Sequence, residues 1–260
     1  QPIFLSRPRR FGKSLLVSTF ECLFKQKHEL FKGLKIENLW KDQNTYKVLH
    51  LDFSSMATSS LEAFLKAFNN ALDVFIHENN VELIRDPDNI PSEKFNSICD
   101  LLEKNSLVLL IDEYDSPLTS FMDDDKKFEA VRNILSDFYK AVKANSEKLR
   151  FLFITGVTRY SNTSIFSAFN DLKDISLTYD YGSLLGYTDE ELDLYFKDYL
   201  SDIALKLNTS YADIKENLKS IKQQIIAFLT RNGKQFNGKS YWTRKHIDWI
   251  NTISFSEPLL

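Results

Sequence analysis

Apolar residues in this chain fall into two patterns: compact blocks, and longer stretches in which they return every three or four positions. The blocks are PIFL (Pro2 to Leu5), YKVLHLDF (Tyr46 to Phe53), LVLLI (Leu107 to Ile111) and RFLFIT (Arg150 to Thr155). Each predicts a strand, and the blocks without polar alternation predict strands buried on both faces, the habit of a parallel sheet. Helical spacing appears from about Lys13 (Leu15, Leu16, Phe20, Leu23, Phe24), from Ser60 to His77 (Leu61, Phe64, Leu65, Phe68, Leu72, Phe75), from Ser92 to about Lys104, and from Lys126 to Lys143. DPDNIPSE reads as a loop between two of these helices. Alternating strands and helices in this order predict an α/β fold with a parallel sheet and crossover helices.

A further short strand is expected around Leu177 to Tyr181. After Gly186 the texture turns helical. Thr188 and Glu191 form a T-x-x-E capping box that opens a helix through about Leu200. A second helix, about Tyr211 to Thr230, carries Ile214, Leu218, Ile221, Ile225 and Leu229 on one face. The expected organisation is an α/β domain over 1–185 and a small helical lid or appendage over 186–260.

Composition narrows the function classes. The 260 residues are 43% hydrophobic and 27% charged, with a net charge of −3, so nothing in the bulk charge favours nucleic acid or an acidic membrane. Cys22 and Cys99 sit in apolar surroundings and read as buried thiols of a reducing, cytoplasmic setting. His28, His50, His77 and His246 are scattered, without metal-ligand spacing. No apolar run approaches the ~20 residues of a membrane span, and no signal peptide is visible. Gln1 leads directly into an apolar strand, from which residues missing upstream are expected.

The chemistry begins in RPRRFGKS, Arg7 to Ser14. A phosphate loop needs inward backbone N–H groups at a helix start and a lysine that reaches the outer phosphates. Gly12, Lys13 and Ser14 supply the last glycine, the lysine and a hydroxyl suited to Mg²⁺. Arg7 stands where such loops carry their first glycine. Alone, the triplet equally suits an exposed basic turn.

A second element favours the phosphate reading. LVLLIDE ends a buried strand on Asp112, placed to hold Mg²⁺ through water, with Glu113 beside it to orient and activate an attacking water. Solvated acids at a strand end are the alternative, but they leave the uniformly apolar strand unexplained. The third element is RFLFIT followed by GVTR. In the topology these motifs share, this strand lies between the other two, so Thr155 or Thr158 would hold the water and Arg159 would stabilise the transferring phosphoryl group.

RPRRFGKSLL, LLIDEYDSPL, FITGVTRYS and the later GYTDEEL together resemble the bacterial AAA-ATPase-like family, over roughly residues 1 to 200. The resemblance implies a P-loop NTPase three-layer sandwich of the additional-strand type followed by a helical lid, with ATP and Mg²⁺ as ligands. It accounts for Arg7, because this family's loop replaces the early glycine with an R-P-R-R-F run. By position it assigns Lys13 to the phosphates, Ser14 and Asp112 to the metal and Glu113 to the base; around them Arg9, Arg10, Phe11, Gly12, Lys13, Ser14 and Leu15 are expected to bind the nucleotide, Arg9 or Arg10 adding cationic contacts, and Lys13, Thr158 and Arg159 to join Glu113 in catalysis. Family members often carry a nuclease-like domain after the ATPase, but no D…E-x-K arrangement occurs here and nuclease chemistry is not expected of these residues. Such a domain, or a protein partner, would lie outside this chain, and an oligomer stays open.

Other features carry less. Asp115, three residues after Asp112, could reach the site but reads more readily as a cap on a turn or on the following helix, and Asp123 to Asp125 as a solvated helix start. RNGKQFNGKSYWTRKH, Arg231 to His246, interleaves basic and aromatic residues in the manner of a nucleic-acid contact, although a solvated loop explains it as well. The leading expectation is a Mg-dependent ATPase acting as motor or switch for a partner. The alternatives are a non-hydrolysing switch or scaffold and a DNA-associated module using that basic stretch.

Overall fold

The computed structural model describes residues 1–83, 90–157, 169, 171–186 and 188–217. Its strands are β1 (Ile3–Ser6), β2 (Lys47–Asp52), β3 (Leu107–Asp112), β4 (Leu149–Gly156) and β5 (Lys173–Asp174). They form one sheet in the order β2-β3-β4-β1-β5, and every pairing is parallel. β4 therefore lies between β1 and β3, as the motifs had implied. One extra residue, Arg150, interrupts the β3–β4 register near its start.

All of β3 is buried, which explains why its sequence lacks alternation: both faces meet helices. On one face Leu49, Leu51, Leu109, Ile111, Leu152 and Ile154 pack under α3 (Leu61–Glu78), α4 (Pro91–Asp100) and α6 (Asp125–Ala144). On the other, Leu5, Val48, Val108, Leu110 and Phe153 meet Val17 and Phe24 of α1 (Lys13–Phe24). The helix starts follow local chemistry. Ser60 Oγ accepts the Ala63 N–H at 3.0 Å, and Asp124 accepts the Lys127 N–H at 3.1 Å. Short helices α2 (Lys35–Leu39) and α5 (Ser116–Ser120) carry no periodic signal and went unforeseen.

Three local expectations need correction. Leu15 does not belong to the core face of α1, for it is 73% exposed beside the loop, and Val17 takes its place in the core. The fifth strand is not at 177–181. It is the two-residue β5, held by Lys173 N–H to Pro2 O and Ile175 N–H to Phe4 O, both 2.9 Å. Leu177 is fully exposed and Tyr179–Tyr181 form a single 3₁₀ turn, so apolar content there marks packing around a turn rather than a strand. Cys99 is buried, and burial pushes its thiol up to about 12, but Cys22 is only half-buried.

The chain divides into two compact units, Gln1–Gly186 and Tyr187–Leu260. In the second, the capping box forms reciprocally: Thr188 N–H donates to Glu191 Oε2 at 2.8 Å, and Glu191 N–H to Thr188 Oγ1 at 3.2 Å. The helix expected through Leu200 is split into α7 (Asp189–Tyr195) and α8 (Lys197–Lys206), because Phe196 leaves helical geometry at φ −121° and ψ 2°. Residues 211–217 are helical, and Asp193 accepts from the Tyr211 hydroxyl and the Lys215 ammonium. The rest of the expected 211–230 helix and the basic stretch 231–246 lie outside the described residues. Among the described residues, no helix is long and apolar enough to cross a membrane.

Candidate functional site

The loop RPRRFG joins β1 to α1 at the carboxyl edge of the sheet, where open α/β folds place their ligands. Its left-handed turns fall at Arg10 (φ 65°) and Gly12 (φ 90°). Arg7 is not left-handed, so the loop reverses direction without a glycine at that position. Gly12 caps α1 without any side-chain hydrogen bond, and the first turn holds no acid. The helix opens with the bond from Leu16 N–H to Gly12 O at 3.0 Å. Such a start concentrates amide hydrogens and the positive end of the helix dipole where an anion would sit. Pro8, Arg9, Arg10, Phe11, Ser14 and Leu15 are all exposed around it.

Arg7 turns away from this edge. Its guanidinium donates to Ser6 O at 3.0 Å, to Ser176 O at 2.5 Å and to Tyr181 O at 3.1 Å. It thus fastens the base of the loop to the segment that follows β5. Arg7 N–H also donates to Gly156 O at 3.2 Å, tying β1's exit to that of β4.

Lys13 is only 3% exposed, although it begins the helix. Its ammonium curls back to Pro8 O at 3.2 Å and lies 3.8 Å from Glu113 Oε1. Asp112, 2% exposed, ends β3, and its Oδ1 accepts from the Thr155 hydroxyl of β4. Thr155 Oγ1 in turn accepts the Glu113 N–H at 3.3 Å. One fully buried hydroxyl therefore links the Asp112 carboxylate to the Glu113 backbone. Glu113 itself is left-handed, at φ 48°, an uncommon state for a long side chain. That twist sends Tyr114 into the core and leaves Glu113 facing Lys13. Burial holds the Glu113 carboxyl above its ordinary pKa; Lys13 opposes this, Asp112 and Asp115 reinforce it, and Arg9 opposes it more weakly.

Asp115 corrects a further expectation. It stands at the start of α5 but makes no capping bond there. Its carboxylate is 4% exposed and accepts the Val157 N–H at 3.2 and 3.1 Å, fixing the exit of β4. Because this bond joins residues 42 apart, no local pattern could announce it. Thr158 and Arg159, expected to follow on this side, lie outside the described residues.

A family model described as "predicted AAA-ATPase" matches residues 1–166 of this chain. The chain belongs to that AAA-ATPase-like family. An AAA-ATPase-like assignment agrees with the all-parallel sheet and the strand-edge site described above. A protein of Azotobacter chroococcum mcd 1, described as an uncharacterized protein in the vnfD 5′ region, is 31% identical over 205 residues. The match covers 74% of this chain and 37% of that protein, so the chain spans a little over a third of its relative. No solved structure matches.

In this AAA-ATPase-like chain the expected residues Gly12, Lys13, Ser14, Asp112 and Glu113 are drawn from the loop, α1 and β3 to one sheet edge. Among the described residues no cluster of three or more His, Cys, Asp or Glu side chains could cage a metal by itself. Mg²⁺ needs none: it keeps several waters and takes one or two hard oxygen ligands beside phosphate. The exposed Ser14 hydroxyl and the Asp112 carboxylate are such a donor set.

Proposed function

We propose that this edge binds ATP with Mg²⁺ and hydrolyses its terminal phosphate. The reading rests above all on the buried Lys13 ammonium, 3.8 Å from Glu113 at an uncapped helix start. A buried ammonium with one carbonyl bond and a carboxylate only at 3.8 Å has, among the described residues, donors to spare, which suits a polyanion arriving beside it. In this reading Lys13 leaves Pro8 O for the outer phosphates, and the first amides of α1 hold the inner ones. Phe11 and Leu15 offer apolar surface to the base, and Arg9 and Arg10 add positive charge. Ser14 and Asp112 would hold the metal. When bound, Mg²⁺ neutralises charge between the outer phosphates.

Glu113 accepts a proton from water as the water oxygen bonds to the γ-phosphorus. The bond to the bridging oxygen breaks, and ADP leaves with that electron pair. Thr155 keeps Asp112 and Glu113 in register throughout. On sequence alone we assign Thr158 and Arg159 to the γ-phosphate side, and a partner domain as what the cycle drives.

The test compares ATP binding and turnover in wild type, Lys13→Ala and Glu113→Gln. Lysine loss should weaken binding at least tenfold, and the glutamine variant should bind like wild type while turnover falls about 10²–10⁴-fold. Wild-type binding without turnover would replace hydrolysis by a nucleotide-gated switch, and no binding would end both.

A further inference from the structure

The phosphate loop touches the end of the first unit at three places. Arg7 donates to Ser176 O and Tyr181 O. The Phe11 ring lies against Gly186, where a Cβ would come within 3.2 Å of Cδ1 and Cε1. A Cβ on Gly12 would stand 3.7 Å from Leu185 Cδ2. Further bonds bind the same segment to β1: Ser6 N–H donates to Ser176 Oγ at 2.8 Å, and the two hydroxyls lie 3.1 Å apart. Only Pro8, Arg9 and Arg10 separate the grip at Arg7 from the grip at Phe11.

We infer that Arg7 is a positioning residue that couples occupancy of the phosphate loop to the stretch 176–186, the last of the first unit. The inference rests on the nucleotide reading above. A phosphate chain draws the amides at 12–15 inward, and so short a bridge cannot absorb the movement. The strain passes to the two grips. At one end the guanidinium holds the carbonyls of two successive turns, since Tyr181 O also accepts from Leu184 N–H at 3.2 Å. At the other, Gly186 is left-handed at φ 90° and carries no side chain to cushion the Phe11 ring. An early glycine would leave only the approaches of Phe11 and Gly12 between the loop and this segment. An arginine makes the two move as one.

Asp174 lies near enough to Arg7 to offset part of the cost of burying its charge. Ile175, Tyr181 and Leu185 pack on the same apolar cluster as Leu5 and Val17, so the segment is seated firmly enough to receive the load.

Backbone hydrogen exchange with and without Mg²⁺ and a slowly hydrolysed ATP analogue tests this, on wild type, Arg7→Ala, Arg7→Lys and Leu185→Ala. In wild type the analogue should slow exchange about tenfold or more both at 12–16 and at 176–186. In Arg7→Ala the slowing at 12–16 should persist and that at 176–186 should shrink severalfold. Arg7→Lys, which can reach one carbonyl, should restore part of it. Leu185→Ala keeps every Arg7 bond and should retain most of it, which also covers the case in which Arg7→Ala does not fold. Slowing at 12–16 alone in wild type, or equal slowing at 176–186 in wild type and Arg7→Lys together with its loss in Leu185→Ala, overturns the inference and leaves the nucleotide reading standing. No slowing anywhere in wild type overturns both.

Discussion

Glu113 shows how one backbone angle sets chemistry. Had it continued β3 in extended form, its side chain would fall on the face of Leu109 and Ile111, and Tyr114 on the opposite face with Leu110. The left-handed turn reverses that, and the half-buried carboxyl then has its pKa raised by burial. A base must be deprotonated to work, so turnover should fall on acidification along a limb lying above the ordinary glutamate range. Arg9 lowers this pKa, so Arg9→Gln should move the limb to still higher pH. A pH profile of kcat checks it, and a limb displaced the other way would remove Glu113 from the role. Lys13, Asp112 and Glu113 were legible in sequence because each ends or begins a strongly patterned element. The bonds of Thr155 and Asp115 were not legible, because their partners are distant in the chain: Asp112 and Val157 are reached only through sheet pairing. Arg7 was legible as an oddity, and its hydrogen bonds give the oddity a purpose.

Among the elements, the exit of β4 is the tightest fit. A Cβ at Gly156 would meet the Tyr114 ring at 2.6 and 2.7 Å and Asp115 Oδ1 at 2.9 Å. Tyr114 is itself wedged edge-on against Phe4 at 5.6 Å and has nowhere to go. Gly156→Ala should therefore destabilise the fold by about 1–3 kcal/mol. Urea unfolding measures it, and an unchanged midpoint would mean that the strand exit holds spare room. Pattern alone identified β1, β2, β3, β4 and the long helices, because burial on one or both faces imposes a period on the residues. It failed for β5, where two residues make too short a run to carry any period. It failed as well at Phe196, where apolar spacing continues through a break in the helix.

At the scale of the molecule, stability depends on links between layers. Glu21 of α1 pairs with His50 of β2 at 3.0 Å and with Lys25 at 2.7 Å. The hydrogen bond from His50, foremost, and Lys25 bring its pKa from 4.5 down to about 2 against the opposing effect of burial. A depressed carboxylate stabilises the fold above its unfolded pKa, and that contribution is lost as pH falls from about 4.5 toward 2. With solvent screening allowed for, Glu21→Gln should cost on the order of 1–2 kcal/mol near pH 6. The gap to wild type should close near pH 2, as denaturant titrations at several pH values would show. A constant gap would mean that packing, not charge, is lost.

β1 comes first in the chain yet finds its partner last: Ile3 aligns with Phe153, and Phe4 with both Ile154 and Asp174. A chain growing from its N-terminus thus carries the RPRRFGKS loop unseated until β4 has been made, and Arg7 finds its carbonyls later still. Loop closure over such a span is slow, as in other folds rich in distant contacts. The consequence is one of timing. Truncated or half-synthesised chains contain the complete GKS motif but lack the seat that shapes it, so the loop takes its form only with the nearly finished unit.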